Sequence, residues 1–101
     1  MFEALTILIA EDSAADRMLL SSIVRRQGHE VLTASNGAQA VEAFRQQRPQ
    51  LVLMDAMMPV MDGFEAARQI KALAGETLVP IIFLTSLSES EALARCLEVG
   101  G

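Results

Sequence analysis

The chain has 101 residues, of which 51% are apolar, and its formal net charge is −5 with a pI near 4.7. This length supports one small domain, and the acidic balance argues against nucleic acid binding because phosphate contacts need a basic face. The N-terminal stretch has neither the basic flank of a signal peptide nor the length of a membrane span. The single cysteine, Cys96, cannot form an internal disulfide, which favours a reducing, cytoplasmic setting with no membrane partner.

Strand-type and helix-type patterns alternate along the chain, without repeats or linkers. This alternation predicts an α/β fold with a parallel sheet, right-handed crossovers and helices on both faces. The predicted elements are, in order, strand 6–10, a helix from 13 to about 27, strand 31–33, a helix from 37 that stops before Pro49, strand 51–54, helix 63–73, strand 79–84 and a last helix from 88.

The predicted first helix carries apolar residues in adjacent pairs, one pair per helical turn. Leu19, Leu20, Ile23 and Val24 recur at i, i+1, i+4 and i+5, which predicts one stripe that faces the sheet. Gly28 follows the helix and is expected to end it as a C′ residue.

Polar side chains follow three predicted strands at the point where each strand ends. Asp55 follows the apolar run 51–54, Glu11 and Asp12 follow strand 6–10, and Thr85 follows strand 79–84. The carboxyl ends of parallel strands share one edge of the sheet, where ligands bind in open α/β folds. The convergence of carboxylates with a hydroxyl predicts a divalent-cation and phosphoryl site, because magnesium prefers oxygen ligands.

Two further features near this edge have structural interpretations. Asp62 with Gly63 is typical of a turn and helix entry, so Asp62 is not expected to take part in the chemistry. Met57, Met58 and Met61 either pack under the loop or offer a docking surface for a partner helix.

The chain resembles the receiver domain of bacterial two-component response regulators over essentially its whole length. The residues that carry the resemblance are the Glu11 and Asp12 pair, Asp55 within DAMMPVMDG, and Thr85 after VPIIFL. The resemblance implies a doubly wound parallel sheet of flavodoxin-like order 2-1-3-4-5. It also implies a phosphoacceptor signalling domain rather than an enzyme, with a histidine kinase or histidine phosphotransfer protein as donor and an output domain or another protein as a further partner.

The resemblance also implies a role for each matching residue. Asp55 would be the phosphoacceptor, and Thr85 would contact a phosphoryl oxygen. Asp12 would bind Mg²⁺ directly, Glu11 mostly through water, and the backbone carbonyl of Met57 would be a third ligand.

Two departures from the family pattern stand out. Glu11 occupies a position that is usually aspartate, which leaves the metal site credible. The family's fifth strand, with its lysine and aromatic switch residue, and its fifth helix find no counterpart in residues 1–101. We therefore expect a receiver domain that lacks the last strand and helix.

Other functions fit the residues less well. A haloacid dehalogenase-type phosphatase would need a second aspartate two residues after Asp55, where Met57 stands. A dinucleotide-binding domain would need a glycine-rich turn after the first strand, and EDSAADR has no glycine. The alternative that stays open is a pseudo-receiver that acts as a protein-interaction module without phosphorylation.

Overall fold

The computed structural model describes residues 4–84. Thr85 and the predicted last helix, which contains Cys96, lie outside the described residues. The elements are β1 (Thr6–Ala10), α1 (Ala14–Arg26), β2 (Glu30–Ala34), α2 (Gly37–Gln47), β3 (Leu51–Asp55), α3 (Gly63–Ala74) and β4 (Ile81–Leu84).

The strands form one parallel sheet of order β2-β1-β3-β4, as predicted. The two central strands supply its most deeply buried side chains, including Leu8 and Val52, both fully buried. These side chains pack with α2 and α3 in the main core, and no residue of α1 within the described range belongs to it. Ile7 and Ile9 alternate with Leu8 along β1 and are buried on the opposite face, and α1 contacts β1 and β2.

Each described helix begins with a side-chain cap. Ser13, Asn36 and Asp62 adopt extended backbone conformations and accept hydrogen bonds from the N–H groups of Asp16, Gln39 and Glu65 at 3.3, 2.8 and 2.9 Å. A capping oxygen satisfies one of the N–H groups that the first helical turn leaves without a partner. The interpretation of Asp62 as a helix-entry residue agrees with this contact.

The helix ends differ in how they leave the helical conformation. Gly28 follows α1 with φ 93°, as expected of a C′ glycine. At the end of α2, Arg48 itself adopts a left-handed conformation with φ 49° and precedes Pro49. The Arg48 guanidinium donates to the Leu73 carbonyl at 2.8 Å and lies 5.2 Å from the centroid of the Phe44 ring, so it joins α2 to the end of α3.

The predicted apolar stripe of α1 is only partly correct. Leu20 and Val24 are half-buried, but Leu19 is 61% exposed and Ile23 is 46% exposed. α1 contacts β1 and β2, and the row that contains Leu20 and Val24 is the half-buried one.

Three strands differ in their bounds from the prediction. β2 is longer at both ends, β3 includes Asp55, and β4 begins at Ile81 rather than at Val79. Pro80 has no N–H to donate to the ladder, although its carbonyl accepts from the Val52 N–H at 3.0 Å.

Within residues 4–84, no helix is both long enough and apolar enough to cross a membrane.

Val60 offers a test of backbone strain in the loop between β3 and α3. It is exposed and has φ 69°, a conformation in which a β-branched side chain is strained. We expect Val60→Asn to raise the free energy of unfolding by about 1 kcal/mol, because asparagine tolerates positive φ. Chemical denaturation measures the change. Val60→Ala, which keeps the Cβ and removes only the branching, should gain less, and an equal gain in both variants would contradict the explanation.

Candidate functional site

The candidate site lies where β1 and β3 end side by side. Ala10 pairs with Met54 in the parallel register, so the residues that follow β1 meet the end of β3. Two backbone hydrogen bonds continue the pairing past the strand ends, from the Glu11 N–H to the Ala34 carbonyl at 3.0 Å and from the Ala56 N–H to the Leu84 carbonyl at 3.3 Å. The sheet thereby fixes the backbone on both sides of the site.

Three of the predicted carboxylates come together at this edge. One carboxylate oxygen from each of Glu11, Asp12 and Asp55 lies within 4.8 Å of the other two. Glu11 and Asp55 are only 8% and 9% exposed, whereas Asp12 is exposed. At this separation two full negative charges repel by roughly 3 kcal/mol at an effective dielectric constant of about 20.

Backbone N–H groups orient the two buried carboxylates. The Ser13 N–H donates to Oε1 of Glu11 at 3.1 Å, and the Met57 N–H donates to Oδ1 of Asp55 at 3.2 Å. The Arg17 guanidinium donates instead to the Glu11 backbone carbonyl, at 2.7 Å. Among the described residues no arginine or lysine forms an ion pair with these carboxylates, so their charge is not neutralised by a neighbouring cationic side chain.

Burial and mutual repulsion raise the pKa values of Glu11 and Asp55. Burial raises the pKa of Glu11 to about 7, and the charge of Asp55 adds to the increase, while the hydrogen bond from Ser13 opposes it. Burial likewise raises the pKa of Asp55, with the charge of Asp12 adding to it and the Met57 N–H opposing it. The edge of the sheet thus holds negative charge at a free-energy cost.

The loop of residues 56–62 is held against this edge by two glycines. The Gly63 N–H donates to the Ala56 carbonyl and the Gly37 N–H donates to the Met61 carbonyl, both at 2.9 Å. A Cβ atom at Gly63 would overlap the backbone carbonyl of Asp55, and one at Gly37 would overlap that of Met61. Only glycine allows the first turns of α3 and α2 to approach the loop this closely.

An open cleft of about 620 Å³ lies over the carboxylates. One part of its wall is acidic and the other is apolar, with Leu19, Leu20, Met57 and Leu84. Leu19 and Met57 are exposed, so an apolar surface adjoins the reactive edge.

The structure thus brings together Glu11, Asp12, Asp55 and the Met57 backbone, whereas Thr85 lies outside the described residues. Sequence reasoning missed Arg17 and Gly37. No local pattern marks Arg17, because its partner is a backbone carbonyl. Gly37 was predicted only as the start of a helix.

The donor set suits a hard divalent cation. Within residues 4–84 the cluster offers only carboxylate oxygens, and two of its three carboxylates are buried without a cationic partner among these residues. Magnesium binds such oxygen sites through a few carboxylates and retains several waters, which the open cleft leaves room for.

Comparison with known proteins identifies the class. Residues 7–101 match the family model described as the response regulator receiver domain. The chain therefore belongs to the response regulator receiver domain family, a class of two-component signalling domains.

Curated relatives match most of the length of this chain. The chain is 40% identical over 80 residues to the protein PilH of Pseudomonas aeruginosa, a match that covers 79% of this chain and 66% of PilH. Several other curated relatives are more than twice as long as the segment they share with this chain.

Solved structures show the same fold. The receiver domain of sensor histidine kinase PA1611 from Pseudomonas aeruginosa, with a magnesium ion coordinated in its active-site cleft, aligns with a TM-score of 0.86 and 34% identity over 97% of this chain and 80% of that chain. A chain of the CheX–CheY–BeF3–Mg complex from Borrelia burgdorferi aligns with a TM-score of 0.84 and 26% identity over 94% of this chain and 72% of that chain.

The raised pKa of Glu11 predicts how stability depends on pH without divalent cations. Between about pH 4.5 and about pH 7 the unfolded chain releases this proton while the folded chain retains it. The free energy of unfolding should therefore fall as pH rises through this window, which denaturant titrations in a chelator can measure.

Glu11→Gln should flatten this dependence and be more stable than the wild type above about pH 7. Glu76→Gln, an exposed change in the loop after α3, is the control and should follow the wild-type curve. An unchanged slope in Glu11→Gln would show that another group causes the dependence.

Proposed function

We propose that the chain is a phosphoacceptor receiver domain in which Asp55 takes a phosphoryl group from a histidine kinase or a histidine phosphotransfer protein, in a Mg²⁺-dependent reaction. The observation that carries this proposal is the cluster of Glu11, Asp12 and Asp55 within 4.8 Å at the end of β3. The phosphoacceptor in this cluster would be Asp55, because it ends β3 and lies against the acidic pair Glu11 and Asp12 that follows β1.

The reaction is a direct displacement at phosphorus. A carboxylate oxygen of Asp55 attacks the phosphorus atom of a phosphohistidine, the P–N bond breaks, and its electron pair stays with the imidazole nitrogen, which a proton can then neutralise. The product is an aspartyl phosphate. An ionised carboxylate is already a nucleophile, so the protein needs no general base for this step.

Glu11, Asp12, Asp55 and the backbone carbonyl of Met57 would hold the magnesium ion. The ion supplies positive charge that offsets the charge spread over the phosphoryl oxygens during transfer. The chain's own contribution is orientation: the Met57 N–H fixes one oxygen of Asp55, and the Ser13 N–H fixes Glu11.

The remaining parts of the proposal rest on the family resemblance. Thr85 would contact a phosphoryl oxygen once the group is on Asp55, and residues 1–101 would form one receiver domain. The signal would pass to an output domain or another protein, in a cytoplasmic setting.

The apolar wall of the cleft favours a protein as the phosphodonor. Leu19 and Met57 are exposed beside the acidic cluster, and apolar surface at an interface core stabilises protein association. A small acyl phosphate would use the carboxylates and leave this wall in water.

The test of the acceptor is labelling. We expect Mg²⁺ with a phosphohistidine donor or a small acyl phosphate to add one phosphoryl group to the wild type, seen by intact mass. Asp55→Asn should abolish labelling, because the amide oxygen is a poor nucleophile.

Asp62→Asn is the matched control. It makes the same chemical change a few residues away, and asparagine still caps α3 as well as aspartate does. Labelling of the Asp55 variant at the wild-type level would rule out the assignment. A complete lack of labelling in the wild type would favour the interaction-only pseudo-receiver.

A second test concerns the metal. Mg²⁺ should raise the melting temperature of the wild type, because a ligand that binds only the folded state stabilises it by mass action. Asp12→Asn should lose most of this increase, and without metal it should melt at or above the wild-type temperature, because one repulsive charge is gone.

Asp16→Asn is the control for the metal test. Asp16 lines the same cleft but is not part of the carboxylate cluster, so its variant should keep the response to Mg²⁺. If metal-free Asp12→Asn melts well below the wild type, repulsion within the cluster is not the dominant effect.

A further inference from the structure

Arg17 makes a contact beside the acidic cluster that the helix itself does not require. It lies near the start of α1 and is half-buried, and its guanidinium donates to the backbone carbonyl of Glu11 at 2.7 Å. A cation near the start of a helix meets the positive end of the helix dipole, which disfavours it there. The carbonyl that it binds belongs to a residue outside the helix, so the contact serves the segment between β1 and α1.

The carbonyl that Arg17 binds is part of the peptide group between Glu11 and Asp12. A peptide group is planar, so the orientation of this carbonyl also fixes the orientation of the Asp12 N–H and the position of its Cα atom. On the other side of the same residue, the Glu11 N–H donates to the Ala34 carbonyl at 3.0 Å. The end of β2 and the start of α1 therefore hold the backbone of Glu11 from both sides.

Asp12 depends on this backbone more than its neighbours in the cluster do. The N–H groups of Ser13 and Met57 donate to the carboxylates of Glu11 and Asp55 and so orient them directly. Within residues 4–84 no N–H group donates to the carboxylate of Asp12, which is exposed. The direction of this side chain therefore follows from the orientation of the peptide group that precedes it.

The positive charge of Arg17 has an effect of its own on a cation site. Coulomb repulsion between the guanidinium and a bound divalent cation weakens metal binding, so the charge alone makes Arg17 unfavourable at this position. Its hydrogen bond to the Glu11 carbonyl, in contrast, favours metal binding if it orients a ligand. Charge and orientation therefore predict opposite changes in metal affinity when the guanidinium is removed.

We propose that Arg17 is a positioning residue of the magnesium site: through the Glu11 carbonyl it fixes the peptide group that directs Asp12 toward the ion. This inference rests on the proposed function, because it concerns the same metal site. Mg²⁺ demands nearly ideal octahedral coordination, whereas Ca²⁺ accepts oxygen ligands in a more flexible geometry. The orientation of Asp12 therefore matters more for the binding of Mg²⁺ than for the binding of Ca²⁺.

The test compares calorimetric titrations of the wild type, Arg17→Met and Arg25→Met with Mg²⁺ and with Ca²⁺ at constant ionic strength. Arg17→Met keeps an unbranched apolar side chain and removes the donor together with its charge. It should weaken Mg²⁺ binding about tenfold, the size expected for losing an outer partner of a metal ligand, and Ca²⁺ binding less than about threefold. Arg25→Met removes the same charge from an exposed position of the same helix and should change both affinities less than about twofold.

The ratio of the two affinities separates a positioning role from a general loss of stability. If part of the Arg17→Met protein is unfolded, both apparent affinities fall by the same factor and their ratio stays constant. NMR of the metal-free protein gives a second readout. The carbonyl carbon of Glu11 should change its chemical shift in Arg17→Met, because its hydrogen bond is lost, and the Asp12 amide should exchange faster. Arg25→Met should leave both signals unchanged.

The positioning role is supported if Arg17→Met loses more affinity for Mg²⁺ than for Ca²⁺, if Arg25→Met does not, and if the carbonyl signal of Glu11 shifts without metal. Equal or tighter Mg²⁺ binding by Arg17→Met, or an unchanged ratio of the two affinities, overturns it. A wild type that does not bind Mg²⁺ contradicts the metal site itself and hence the proposed function. Normal binding by the wild type, with either of the overturning results, contradicts only the role of Arg17.

Discussion

The parallel pairing of β1 with β3 is the constraint on which the described site depends. It brings two acidic residues at the end of one strand against a third at the end of the next, and it removes two of the three from water. Both effects oppose ionisation, and the pKa of Glu11 rises accordingly. The sheet core around Leu8 and Val52 is well buried, so packing of the rest of the domain offsets the free-energy cost of this edge.

The surrounding elements keep the carboxylates in place rather than relieve their repulsion. Backbone N–H groups from Ser13 and Met57 orient them, and the Arg17 guanidinium binds the Glu11 carbonyl instead of a carboxylate. A direct salt bridge would have stabilised the folded chain and occupied the place that a cation can take. A preorganised, uncompensated acidic edge is what a site for metal and phosphoryl chemistry requires.

Much of the fold was readable from sequence because its signals are local. Apolar runs that end in acidic residues located β1 and β3, and Asp62 with Gly63 located the start of α3. The alternation of elements fixed the parallel sheet, and the family resemblance supplied its order. The features that the sequence did not predict correctly depend on tertiary contacts. Periodicity gave the apolar stripe of α1 but not which of its rows would touch the sheet.

Three side chains show why such contacts escape a reading of one sequence. Arg48 ends α2 in a left-handed conformation that glycine usually adopts, stabilised by a carbonyl of α3. His29 lies just before β2, and its Nδ1 accepts the Leu5 N–H at 2.9 Å, which joins the start of β2 to the start of β1. Ser21 is buried although the predicted apolar stripe of α1 does not include it. For Arg48 and His29 the partner is a backbone group far away in the sequence, which leaves no local pattern.

The loop at residues 56–62 illustrates the opposite situation, because backbone hydrogen bonds at Ala56 and Met61 hold it and two glycines pack closely against it. The loop geometry therefore depends on the length of this loop rather than on exposed side chains such as Met57 and Val60. Substitutions of those side chains leave both glycine contacts in place, whereas a single inserted or deleted residue would displace both at once.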